Sequence, residues 1–208
     1  MNALALALHA AWLRRRSRIA QVSVRPIRPD DEPALQRFVH CLSPDSRRFR
    51  FHAALNELPE PTLRALTRVD QREHVAFVLT VTKDGIERIV GEARFVRSGD
   101  RDTAEFGIAV ADAYQGTGLA DRLLEALIDA ARAAGLRWLV GDVLASNARM
   151  LSFTRRRGFA ATTRETSPGL VRLERSVDHA PAAYWASRSW IDAWRTARRW
   201  LARSLPAT

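Results

Sequence analysis

Two rhythms of apolar and polar positions alternate along this chain. Val22–Arg28 repeats every second residue and is interrupted by Pro26, as a strand at a sheet edge does. Asp30 or Asp31 can then cap a helix running to about Cys41. Ser43-Pro44-Asp45 opens a second helix with proline at its first position, and Glu60-Pro61 opens a third that ends near Val69. Val75–Val81 and Ile89–Val96 are β-branched runs around Lys83-Asp84-Gly85, a hairpin pattern. Thr103–Val110 reads as a strand. Gly118–Ala134 carries leucine, isoleucine and alanine at helical spacing and stops at Gly135. Leu136–Leu144 is apolar enough for a strand buried on both faces. Asn147–Arg157 is a helix stopped by Gly158, and Phe159–Thr166 with Leu170–Val177 closes as a hairpin around Ser167-Pro168-Gly169. These elements predict one α/β (equally, α+β) domain over residues 21–178, a mixed sheet with helices on both faces.

Composition supports one folded domain and locates the charge. A chain of 208 residues with 47% hydrophobic content can bury a sizeable core and is not wholly disordered. Cys41 is the only cysteine, which excludes an intramolecular disulfide framework and a multi-cysteine zinc site. No apolar run approaches the roughly 18 residues of a membrane span.

The formal charge is +10, yet four arginines in residues 1–20 face no acid, and five in residues 179–208 face only Asp192. Residues 21–178 keep +2. The charge therefore describes the two ends. The abundance of arginine and alanine also fits a genomic base bias. Residues 1–20 form a basic extension in which the apolar run Met1–Leu13 precedes the arginines, the reverse of a secretory signal. A cytoplasmic protein is expected, with a mitochondrial transit peptide left open by composition. In residues 179–208, Ile191, Trp194, Leu201 and Leu205 make one helical stripe broadened by Trp190 and Trp200. Such a basic amphipathic helix docks on its own domain, on a partner protein or on a membrane surface. No base-reading motif accompanies the charge, which argues against nucleic acid.

The stretch that carries chemistry is Gln115-Gly116-Thr117-Gly118-Leu119-Ala120, between a strand and a helix. Glycines let the backbone turn sharply and approach a ligand. The first N–H groups of the helix lack internal partners and lie at its positive end, so the loop can take a phosphate or pyrophosphate. It has neither the Walker ending nor the dinucleotide fingerprint. A plain strand-to-helix turn remains the other reading.

This loop resembles the coenzyme A pyrophosphate loop of the GNAT N-acetyltransferase superfamily, Gln/Arg-x-x-Gly-x-Gly/Ala, through Gln115, Gly118 and Ala120. Asn147 to Phe159, with Met150, Leu151, Phe153 and Gly158, resembles the superfamily's second motif. Ser43-Pro44-Asp45-Ser46 leading to Arg50-Phe51, Val69-Asp70 followed by His74, and Glu105 are similar to the catalytic domain of Pat-type protein lysine acetyltransferases.

The resemblance covers residues 21–178. It implies a mostly antiparallel mixed sheet with a splayed parallel strand pair, and acetyl-CoA as co-substrate without a metal. It further implies a pantetheine arm paired with backbone of Ile108 and Val110. Pyrophosphate would lie on the N–H groups of Gln115, Gly116, Thr117, Gly118, Leu119 and Ala120, and Asn147 would sit near the thioester. Glu105 is the implied general base, needed because a lysine amine has a pKa of about 10.4. Many members place a tyrosine acid where this chain has Thr154. A threonine hydroxyl does not replace it, and a thiolate with a pKa near 8.5 can leave without an acid.

The expected reaction is acetyl transfer to a primary amine, a protein lysine or a small-molecule acceptor. The alternative is a catalytically silent acyl-CoA-binding regulatory domain acting through its basic ends. The remaining residues read less sharply. His40, His52 and His74 lack metal spacing and read as surface or partly buried, Cys41 as a buried thiol, and Tyr114 as packing. Arg155, Arg156 and Arg157 read as a helix end or a contact for the adenosine 3′-phosphate.

Overall fold

The computed structural model describes residues 21–53, 55–99, 102–162 and 168–177. The two basic ends lie outside them. Within the described residues the strands are β1 (Gln21–Pro26), β2 (His74–Lys83), β3 (Ile86–Arg97), β4 (Thr103–Val110), β5 (Trp138–Leu144), β6 (Ala160–Ala161) and β7 (Leu170–Ser176). The helices are α1 (Glu32–Cys41), α2 (Pro44–Phe51), α3 (Glu60–Thr67), α4 (Leu119–Ala133) and α5 (Ala148–Arg156). One sheet runs β1-β2-β3-β4-β5-β7-β6. All its pairs are antiparallel except β4 with β5. This is the mixed sheet that the alternation of elements predicts, with the single parallel pair that the resemblance implies.

Local chemistry sets the element ends. The β2–β3 hairpin turns on Asp84 and Gly85, with φ of 54° and 77°, a left-handed pair that matches the strand twist. Ser43 caps α2 by accepting the Ser46 N–H at 3.2 Å, and Pro44 follows where no N–H is needed. At the end of α4, Gly135 takes φ 73° and the Leu136 N–H reaches back to the Ala131 carbonyl at 3.0 Å. This reach-back ties Leu136 to the helix, so β5 starts at Trp138 rather than at Leu136. The strand is also less enclosed than expected, with Trp138 exposed at one end and Leu144 half-buried at the other.

Other expectations need correction. Neither Asp30 nor Asp31 caps α1 with its side chain. The Asp31 carboxylate instead receives both Arg25 Nη groups at 2.7 Å and the Arg28 N–H at 2.8 Å, fastening the turn before α1 to β1. Cys41 is exposed. The buried stripe of α1 is Leu35, Phe38 and Val39, continued by Leu42, and position 41 falls off it. Of the strand expected over Phe159–Thr166, the described residues form Ala160–Ala161, paired with Glu174 and Leu173, and residues 163–166 lie outside the described residues.

Two cores hold the sheet. On one face α4 buries Leu123, Leu124 and Leu127 against Phe77, Leu79, Phe95 and Leu139. Each of these leucines contributes about 1.5–3 kcal/mol of transfer free energy. On the other face α1 sets Leu35, Phe38 and Val39 on Ala76, Val78 and Ile89, with Leu63 and Leu66 of α3 packed alongside. The second face is covered over β1–β3 and gives way to a cleft beside β4.

Candidate active site

The parallel pairing of β4 and β5 lasts for three residues, Thr103–Glu105 against Trp138–Val140, and then the strands part. Phe106 and Gly141 show why. A Cβ on Gly141 would lie 2.8 Å from the Phe106 ring and 3.2 Å from its carbonyl oxygen, so the ring takes the space of a β5 side chain. Phe159 packs on that ring at a centroid distance of 4.8 Å. The opening leads into a cleft of about 1030 Å³ between α2, β4, the loop before α4 and the start of α5. Ile108 and Val110 line it on the part of β4 that has no β5 partner.

At the mouth of this cleft stands the glycine-rich loop. Gly116 and Gly118 adopt φ of 77° and 82°, a backbone that other residues take only with strain, and Gly118 is the N-cap of α4. The N–H groups of Gly116 to Ala120 precede or open the helix, where backbone donors lack intrahelical partners. Gln115 differs from expectation. Its N–H donates to the Asp112 carbonyl at 3.2 Å, so the row of donors starts at Gly116. Its side chain is a brace, donating to the Val110 carbonyl at 3.1 Å and to Ser46 Oγ at 3.4 Å and accepting from Arg149. Asp112 extends the brace, its carboxylate accepting the Ser43 N–H and hydroxyl at 2.9 Å and the Ser46 hydroxyl at 2.8 Å. Against the cost of partial burial, these bonds hold the Asp112 carboxyl below the usual carboxylate range. The network ties α2 and α5 to the loop across the cleft. Sequence reading missed it, because directly bonded members lie as many as 69 residues apart.

The second motif falls at α5. Asn147 is the N-cap, and its side-chain oxygen accepts the Met150 N–H at 3.1 Å, which leaves the amide NH2 to offer a ligand in the cleft. Thr154 is fully buried and donates back to the Met150 carbonyl at 2.8 Å, so its hydroxyl serves its own helix. Tyr114 packs against both cores. Arg157 pairs with Asp121 of α4, and Arg156 donates to Ser152 at 2.7 Å. Among the described residues no group of three His, Cys, Asp or Glu is placed to hold a metal ion.

Glu105 is exposed on the cleft floor, in register with Val96 of β3 and Val140 of β5 at the point where β4 and β5 separate. Beside it on the same face lies a cluster that sequence reading missed: Glu92, Arg94, His74 and Arg50. Glu92 is 3% exposed and accepts from Arg50 at 3.0 Å and from Arg94. Against the cost of burial, the two guanidiniums hold its carboxyl below the ordinary range. His40 and His52 are exposed as expected, and His74 is half-buried.

The His74 Nε2 lies 2.9 Å from Arg94 Nη1 and must accept, since arginine only donates. Burial first and then Arg94 push His74 below its ordinary value, with Glu92 and Asp70 opposing. A group so depressed binds protons more readily in the unfolded chain. Its stabilising contribution is complete above about pH 6.5 and is lost as pH falls from there through the folded-state value. The urea midpoint of the protein is therefore expected to fall between pH 7 and pH 5.5, and to fall less in His74→Gln. Parallel pH profiles for the two proteins would remove His74 as the cause.

The splayed strands, the N–H row and the long cleft together fit a thioester cofactor with a pyrophosphate: backbone edge for the arm, donors for the anion. Such a cleft suits an acetyl-CoA-dependent N-acetyltransferase, and the similarity to known proteins shows that class. The protein belongs to the acetyltransferase (GNAT) family, whose model matches residues 37–159. It is 36% identical over 129 residues to an acetyltransferase of Pseudomonas aeruginosa, spanning 62% of this chain and 69% of that protein. To the acetyltransferase Pat of Mycolicibacterium smegmatis it is 33% identical over 137 residues, 65% of this chain and 40% of that protein. The crystal structure of the GNAT domain of S. lividans PAT superposes with a TM-score of 0.68 at 29% identity, covering 74% of this chain and 90% of that one.

Proposed function

We propose that the protein acetylates lysine side chains of proteins, with Glu105 as the general base, and that it works in the cytoplasm. The observation that carries this reading is the position of Glu105: an exposed carboxylate on the cleft floor, where β4 and β5 part. Likeness to the Pat proteins supports the lysine acceptor. Among the described residues no helix is long and apolar enough to cross a membrane.

When bound, acetyl-CoA supplies an acyl group already activated as a thioester. The backbone of Ile108 and Val110 would hold its arm, the N–H groups of Gly116, Thr117, Gly118, Leu119 and Ala120 its pyrophosphate, and the Asn147 amide the region near the thioester. Gln115 braces the loop so that these donors are in place beforehand, which lowers the ordering cost of binding. Glu105 accepts the proton of the incoming ammonium, directly or through water, so that the amine presents its lone pair. Positioning both reactants in one cleft makes the attack effectively intramolecular. The buried Thr154 hydroxyl offers no proton.

The test is a thiol-release assay with acetyl-CoA against proteins, polyamines and amino acids, followed by mass spectrometry of the products. Turnover is expected with protein acceptors, with the added acetyl on lysine. Turnover confined to polyamines or free amino acids would overturn the lysine assignment.

A further inference from the structure

The charged cluster beside Glu105 is unequally balanced. One carboxylate, Glu92, faces two guanidiniums, Arg50 and Arg94. Arg94 is fully committed: Nε to Glu92, Nη1 to His74 at 2.9 Å and Nη2 to the Leu66 carbonyl at 3.1 Å. Arg50 is not. Its Nε and Nη2 donate to Glu92 Oε2 at 3.2 and 3.0 Å, and Nη1 makes no hydrogen bond among the described residues.

Arg50 lines the cleft with its side chain 14% exposed. A Cβ on Gly107 would lie 3.1 Å from Arg50 Nη1 and from its guanidinium carbon. The guanidinium therefore lies over bare β4 backbone, with no side chain of that position in between. Gly107 is two residues from Glu105 on the same face, about 6.7 Å along the strand. Three further carboxylates of the cleft wall have partners: Asp112 with Ser43 and Ser46, Asp121 with Arg157, and Asp142 with Arg172.

We infer that Arg50 is a specificity residue that receives a carboxylate carried by the acceptor close to the amine being acetylated. The inference rests on the proposed role of Glu105, which fixes where the amine stands. With the ammonium on Glu105 and Nη1 one strand repeat away, a short acceptor spans both. The excess positive charge of the cluster attracts the anion, and a charge-assisted hydrogen bond fixes it. Two sources supply this chemistry: an acidic side chain flanking the target lysine of a protein, or the α-carboxylate of a free amino acid.

The test compares matched acceptors on the full-length protein. One pair is a lysine peptide with glutamate beside the lysine and the same peptide with glutamine there. The other pair is leucine and leucinamide. Affinity is read by titration calorimetry on CoA-loaded protein and kcat/KM by thiol release. In the pair that matches the natural source, the carboxylate form is expected to be favoured about 10- to 100-fold, mainly through Kd and KM. Arg50→Gln should reduce that ratio to near one, and Arg50→Lys should restore part of it. The wild-type comparison needs no variant, so loss of folding in Arg50→Gln does not blunt the test. Ratios near one in both pairs, in binding and in turnover, or a ratio unchanged in a folded Arg50→Gln, overturn the inference. Failure of the Glu105 assignment looks different: Glu105→Gln would keep full turnover whatever the carboxylate preference.

Discussion

Glu105→Gln is expected to lower kcat for acetyl transfer by about 10²- to 10⁴-fold. Its affinity for acetyl-CoA, measured by calorimetry, should stay within a few-fold of the parent. The substitution keeps the size and shape of the side chain while removing its ability to take a proton. Glu105 is exposed and holds no place in either hydrophobic core, so the fold has no need of the charge. A lysine amine is almost wholly protonated at neutral pH, and without a base the reactive fraction is about one in 10³. The size of the effect thus follows from the proton that must leave. The ratio of variant to parent turnover should rise toward one as pH approaches 10, where solvent deprotonates the amine. A variant with full turnover at pH 7 and normal acetyl-CoA binding sinks the assignment.

Much of the fold is legible in the sequence because its signals are local. Asp84-Gly85, Gly118, Gly135 and Ser43 each act within about four residues, through φ angles and caps that only certain residue types allow. The Leu123-Leu124-Leu127 stripe lies wholly on α4, and the structure buries it as its spacing requires. The expectations that shifted depend on contacts from elsewhere. Asp31 is a good capping residue, but Arg25 and the Arg28 N–H compete for its carboxylate and win. Cys41 sits at the end of a helix whose stripe passes it by.

The site divides along the same line. The Gln115–Ala120 loop and the start of α5 are contiguous motifs, and they fall between a strand and a helix and at a helix start, as their spacing implies. The inward role of Gln115 needs Asp112, Ser46 and Arg149, which no spacing rule connects. The charged cluster is harder still. In Gly91-Glu92-Ala93-Arg94-Phe95 the alternation puts Glu92 and Arg94 on one face, and a charged face of a strand ordinarily meets water. Helices α1, α2 and α3 cover that face instead, and Arg50 arrives from 42 residues away. Periodicity reports which residues share a face and leaves open what will cover it.

Glu92→Gln tests what that covered charge does for the fold. The side chain is buried, and it is the anion between Arg50 and Arg94. Removing it leaves guanidiniums within a low-dielectric layer without a counter-charge. Breaking such a buried pair from one side costs about 3–5 kcal/mol, whereas replacing both partners by apolar groups of similar volume is often close to neutral. The single variant should therefore melt roughly 6–20 °C below the parent. Glu92→Leu combined with Arg94→Met should recover a large part of that loss relative to Glu92→Leu alone, a non-additivity that marks direct coupling. Equal or additive losses would mean that the cluster is solvated well enough for each charge to stand alone. The same logic gives the pH dependence. A carboxylate held below its ordinary range stabilises above its unfolded-state value and stops doing so as pH falls through the folded one. The parent should lose stability below about pH 4, and the double variant should lose less over that interval. Glu92 thus holds two cations beside a cleft whose chemistry requires an ammonium to give up its proton.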